Sequence, residues 1–230
     1  MRVFLEFERA GIFQLEVGEP ELMEIPIFEI LGVPIFFSDK LFVSTVMFPG
    51  GSESIYVYRG EGRFVEKFHD QKSPDDQMTM PFLDIDRSGS LYVQPRIGYG
   101  AHRLSENGQA LDLPALKRSG RYKDFVPFQP FVKKYGSSLA TAKKWRTQWS
   151  EPDGVAIVQD RYLVLSFKNL AQDLVTIKHY LEGFDLQSRK KVLNWAEAPG
   201  KLLHGGDGLY FFIDADKPMI KRYALESLTK

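Results

Sequence analysis

Leu83-Asp84-Ile85-Asp86-Arg87-Ser88-Gly89-Ser90-Leu91-Tyr92-Val93 decides the fold of this chain. An apolar run enters a polar turn that contains a glycine, and a second apolar run leaves it. Ser and Asp compete for backbone hydrogen bonds, and Gly accepts a positive φ, so Asp86-Arg87-Ser88-Gly89 reads as a hairpin turn. The chain repeats the device in Ala101-His102-Arg103-Leu104-Ser105-Glu106-Asn107-Gly108-Gln109-Ala110-Leu111. Two hairpins in series predict a four-stranded antiparallel unit.

The unit recurs on both sides. An earlier copy runs from Pro34 through Leu41-Phe42-Val43 to the hairpin Ser54–Phe68. A later one runs from Val155 through Leu163-Val164-Leu165 and Val175–Tyr180 to Leu186. The last runs from Lys201 through Leu209-Tyr210-Phe211-Phe212 to Leu225, and Val3–Val17 is half a copy. Leu41, Leu91, Leu163 and Leu209 occupy equivalent places, 50, 72 and 46 residues apart. Two of these intervals fall in the range of propeller blades, about 40–50 residues. The long interval holds an insertion, residues about 119–150, of different composition. A β-sandwich has similar hairpins but not the same two-hairpin unit at this period.

The repeat resembles the NHL/TolB-like group of β-propellers, and in particular the bacterial six-bladed propeller proteins. Asp84 to Val93 and Arg103 to Gln109 carry the resemblance, which extends over nearly the whole chain apart from the insertion. It implies an all-β fold of four-stranded antiparallel blades with one helical insertion. The strands suffice for about four to five blades where the family has six. Either the propeller is small or the chain is a segment of a longer one. One domain, residues 1–230, is expected, with the N-terminal hairpin Val3–Val17 completing the C-terminal blade.

Composition narrows the function. Thirty Lys+Arg face thirty Asp+Glu, which argues against a general nucleic-acid binder. With no cysteine, thiol nucleophiles, iron–sulfur clusters and Cys-based zinc sites are excluded. His69, His102, His179 and His204 are too far apart in sequence for a local zinc motif. No apolar run is long enough for a transmembrane helix. The start alternates and carries acids, so it is not a signal peptide; if the protein is exported, the signal lies outside this chain.

Several motifs reduce to turns. Asp84-x-Asp86-x-Ser88-Gly89 begins like a calcium loop, but the twelfth position, where an EF-hand needs Glu, is Pro95. Pro49-Gly50-Gly51-Ser52 and His204-Gly205-Gly206-Asp207-Gly208 lack the Lys-Ser/Thr ending of a phosphate loop. No Gly-x-Ser-x-Gly elbow exists. Neither a metal nor a cofactor is expected.

The insertion is the exception. From Gly120 to Ser150 it holds seven basic residues against one acid, Asp124, interleaved with Phe, Tyr and Trp. Ser137 or Ser138 can cap a helix over about 137–149, with Leu139, Ala142, Trp145 and Trp149 turned inward. Lys143, Lys144 and Arg146 then carry their charges outward. One reading is an amphipathic plug. The other is a binding surface, formed by Lys143, Lys144, Trp145, Arg146 and Trp149, for a partner protein or a small anionic or carbohydrate-like ligand. The resemblance implies the latter placement, since ligands of such propellers bind where one blade's outer strand connects to the next blade. The expectation is a non-enzymatic binding or interaction propeller. The alternative is a calcium-dependent hydrolase or lyase of the sugar-lactone hydrolase type.

Overall fold

The computed structural model describes backbone pairing for strands between residues 2 and 72. From Phe82 to Leu225 it describes side chains as well, except at 96, 106 and 214–217. Five antiparallel sheets follow one another along the chain, each a meander of consecutive strands. The first contains β1 (Arg2–Phe7), β2 (Gly11–Glu16) and β3 (Leu22–Ile25). The second contains β4 (Ile35–Phe37), β5 (Lys40–Met47), β6 (Ser52–Arg59) and β7 (Arg63–Lys72). The third contains β8 (Phe82–Ile85), β9 (Leu91–Gln94), β10 (His102–Leu104) and β11 (Ala110–Leu111). Two helices, α1 (Phe128–Tyr135) and α2 (Leu139–Arg146), intervene. The fourth sheet contains β12 (Glu151–Val158), β13 (Tyr162–Leu170), β14 (Ile177–Asp185) and β15 (Lys190–Ala198). The fifth contains β16 (Lys201–His204), β17 (Leu209–Ile213) and β18 (Met219–Tyr223). The chain is therefore mostly β, as its repeats predict. Leu41, Leu91, Leu163 and Leu209 each stand in the second strand of their sheet.

The turns form for the reasons the sequence offers. Gly89 sits at φ +84° and donates its N–H to the Asp86 carbonyl at 3.0 Å. The Asp86 carboxylate accepts the N–H groups of Ser88 and Ser90, each at 2.9 Å. Both carboxylate and glycine thus serve the hairpin, and the resemblance to a calcium loop ends there. The tip of Pro49-Gly50-Gly51-Ser52 lies outside the described residues.

Two apolar cores flank the fourth sheet, because its strands send alternate residues to opposite faces. Val155, Ile157, Leu163 and Leu165 enter one core with Tyr92, Tyr122, Phe167, Tyr180 and Phe184. Ala156, Val158, Val164 and Leu181 enter the other with Leu193, Leu202, Leu209 and Phe211. Leu163, Val164 and Leu165 are all fully buried, which explains why consecutive residues there are apolar. The first strands of the third, fourth and fifth sheets lie side by side, β8 against β12 and β12 against β16. The approach is close: a Cβ on Gly154 would come within 2.8 Å of the Leu202 carbonyl oxygen.

Three expectations need correction. The N-terminal hairpin does not complete the last sheet; it pairs with β3 in a sheet of its own, and β18 has no fourth strand beside it among the described strands. The helix expected over 137–149 is shorter, Leu139–Arg146, and a separate helix, α1, precedes it and ends at Gly136, φ +83°. Leu139 does not turn inward, being 75% exposed. The wheel that grouped it with Trp149 fails because α2 stops at Arg146, before Trp149.

Candidate functional site

The insertion folds as a lobe with a closed neck. The Lys123 N–H donates to the Ser150 hydroxyl and the Ser150 N–H to the Lys123 carbonyl, both at 3.0 Å. Between these positions α1 begins after Pro127, with Pro130 in its first turn, where a missing N–H costs nothing. Ser138 caps α2 by accepting the Thr141 N–H at 3.0 Å, as the sequence leads one to expect.

The lobe has an aromatic core of its own. Trp145 packs edge-on to Phe125 and Phe128, with ring centroids 6.2 and 4.9 Å apart, and lies 5.4 Å from Trp149. The Trp145 indole N–H donates to the Val126 carbonyl at 2.5 Å, and Trp149 is buried. Five candidate binding residues therefore separate into two groups. Trp145 and Trp149 face inward and hold the lobe together. Lys143, Lys144 and Arg146 are exposed, although Arg146 is paired with Glu151 at 3.1 Å.

The outer surface of the lobe is cationic. Lys133 and Lys134 fall in the last turn of α1, and Lys143, Lys144 and Arg146 in that of α2. Positive charge at a helix C-terminus is favourable, which explains part of this placement. The helix dipole does not explain what joins the two ends. Lys134 Nζ and Lys144 Nζ lie 5.2 and 4.9 Å from the centroid of the same Tyr135 ring, itself 46% exposed. None of Lys133, Lys134, Lys143 and Lys144 has an ion pair among the described residues.

A buried carboxylate fixes the start of the lobe. Glu182, on β14, is fully buried and accepts the Tyr99 hydroxyl at 2.6 Å, the Ser119 N–H at 3.3 Å, the Ser119 hydroxyl and the Lys191 ammonium. Burial pushes its carboxyl up, but these donors outweigh burial and hold it below its ordinary value. Burial and the Glu182 carboxylate push the Tyr99 phenol up. Tyr99 also stacks on Phe167, 5.5 Å away. Beside it lies a hollow of about 210 Å³ bounded by Pro95, His102, Leu113, Pro114 and Leu116.

At the far end of the lobe, Arg146 and Lys168 both pair with Glu151, and Lys168 reaches Asp153 at 3.3 Å. His179 Nδ1 lies 2.8 Å from Asp153. Burial raises the Asp153 carboxyl, yet the His179 bond and the Lys168 charge leave it lowered. Because Glu151 pairs with Lys168 and Leu170 with Ile177, the loop 171–176 shares this end of the fourth sheet with the lobe.

A second polar cluster ties three sheets together. Asp84 of β8 is fully buried and accepts the Ile157 N–H at 2.7 Å, the Gly205 N–H at 3.0 Å and His204 Nδ1 at 2.7 Å. Gly205 must be glycine, since a Cβ there would lie 2.1 Å from the Ile157 carbonyl oxygen. The hydrogen bond that His204 donates to Asp84 raises its imidazole above the ordinary 6.5, against the opposing effect of burial. A folded-state pKa above the unfolded one adds stability that is fully present below about pH 6.5 and lost as pH rises through the raised value. The melting temperature should therefore fall between about pH 6 and about pH 9 by more in the parent than in His204→Gln. Equal pH slopes, measured by circular dichroism, would refute the contribution.

Among the described residues, no three His, Asp or Glu side chains gather to hold a metal ion, and no helix is long and apolar enough to cross a membrane. The buried acids Asp84, Asp86, Asp153, Glu182 and Asp185 each have their own donors within the protein. No known family model matches the chain, and neither does any curated protein.

Sequence reasoning missed Tyr135 and Lys134, the Glu182 anchor and the Asp84–His204 pair. A signal for the acids was present. Phe82-Leu83-Asp84-Ile85 and Tyr180-Leu181-Glu182-Gly183-Phe184 each place one acid inside an apolar strand. Such an acid is buried and must be paired.

Proposed function

We propose that this chain is a non-enzymatic binding module of the β-propeller type, or a segment of one, whose helical lobe receives an anionic ligand or partner. Successive four-stranded meanders whose first strands adjoin support the propeller part of the reading. The observation that carries the binding part is the convergence of Lys134 and Lys144 on the exposed ring of Tyr135. From Phe125 to Ser150 the lobe contains no acid that could neutralise them. Its tryptophans meanwhile point into its own core and leave the cations on a rigid support. Such preorganisation lowers the entropic cost of binding.

The test is retention on immobilised heparin, chosen as a generic polyanion, with an uncharged dextran matrix as control. The parent should be retained at low salt and released as salt rises, because surface charge is screened over about 10 Å at 0.1 M. The variant Lys143→Glu/Lys144→Glu should elute at clearly lower salt with an unchanged melting temperature. Parent and variant eluting together would sink the reading.

A further inference from the structure

Resting on that reading, we infer that the partner of the lobe is an acidic polypeptide segment that also carries an apolar side chain. The lobe presents more than charge. Leu139, the first residue of α2, is 75% exposed. Lys143 follows it by four residues, so the two are neighbours on one helix face. Arg146, seven residues from Leu139, continues the same stripe. Tyr135, at the end of α1, exposes its ring between Lys134 and Lys144. An exposed isobutyl group and an exposed phenol are thus carried on the same two eight-residue helices as Lys133, Lys134, Lys143, Lys144 and Arg146.

This mixture selects among anionic partners by complementarity. A sulfated or phosphorylated polymer offers charge but nothing for Leu139 to bury. A lipid surface would be entered by aromatic wedges, yet Trp145 and Trp149 are turned into the lobe. A nucleic acid favours a long basic stripe, whereas an eight-residue helix spans only about 12 Å and the chain as a whole is neutral. A peptide with carboxylates flanking a leucine or phenylalanine satisfies both features. Its acids meet the lysines, and its apolar residue covers Leu139. Interfaces of this kind combine a central apolar anchor with a charged rim.

Fluorescence anisotropy on the full chain tests this with three probes of matched charge. They are a labelled Glu/Asp-rich peptide with one central leucine, the same peptide with serine in its place, and a sulfated oligosaccharide. The leucine peptide should bind tightest. Lys134→Glu/Lys144→Glu should weaken it on the order of tenfold or more. Leu139→Ser should remove the preference for leucine over serine and leave the melting temperature unchanged, since Leu139 is exposed. Lys190→Glu, at the β14–β15 turn, should change nothing. If the sulfated oligosaccharide binds as well as the leucine peptide and ignores Leu139→Ser, the peptide inference is overturned and anion binding by the lobe survives. If no probe binds in low salt, both are overturned.

Discussion

Asp84→Ala is expected to destabilise the chain by about 3–5 kcal/mol, the range typical of breaking a buried, charged hydrogen-bond cluster. Two buried N–H groups, those of Ile157 and Gly205, would lose their acceptor at once. Each buried donor left unpaired costs about 1–3 kcal/mol. His204 would lose the group that orients it. For a chain of this size 1 kcal/mol moves the melting temperature by about 2–4 °C, so a fall of roughly 10 °C should be seen. Asp84→Asn keeps one acceptor oxygen and should fall between parent and Asp84→Ala. The loss should be global, because the acceptor sits where three sheets meet. A melting curve for Asp84→Ala that overlays the parent would show that the three contacts add nothing.

Glu182→Ala should cost about as much, about 3–5 kcal/mol, for a different reason. Its removal leaves the Lys191 ammonium, the Tyr99 hydroxyl and Ser119 without their shared acceptor. Ser119 is the entry to the lobe, so the damage should be local as well as global. Limited proteolysis should cut the variant near residues 117–121 before the sheets open, while the parent resists. Acid should reproduce part of this effect. The folded-state pKa of Glu182 is lowered from 4.5, so its contribution is present above about pH 4.5 and lost as pH falls through the lowered value. Glu182→Gln should flatten that acid limb. A parent and variant with the same acid limb would show that the carboxylate charge is not used.

The two acids also mark how far the sequence could be read. Hairpins were legible because each is a local event: Asp86 and Gly89 close their own turn, and Leu91 follows it by two residues. The repeat made the four-stranded meanders legible, since the same turn chemistry recurs. Partners distant in sequence were not legible. His204 lies 120 residues from Asp84, and nothing local to either residue names the other. The lobe shows the limit from another side. Its helical periodicity was correctly seen, but periodicity assumes one continuous axis. The axis of α2 ends at Arg146, so Leu139 and Trp149 ended in opposite environments. The cation pair on Tyr135 depends on how α1 and α2 meet, which a helical wheel cannot express.

The reciprocal hydrogen bonds between Lys123 and Ser150 have a consequence for how such a chain can diversify. Since the chain entering the lobe and the chain leaving it are already brought together at that point, the segment between them is detachable. It has its own apolar interior, and the sheets keep theirs whether or not it is present. A tight turn could bridge the two positions, and a different lobe could be grafted there, without disturbing either core of the fourth sheet. Variation in specificity would then be uncoupled from the cost of refolding the frame, with the recognition element behaving as an exchangeable cartridge.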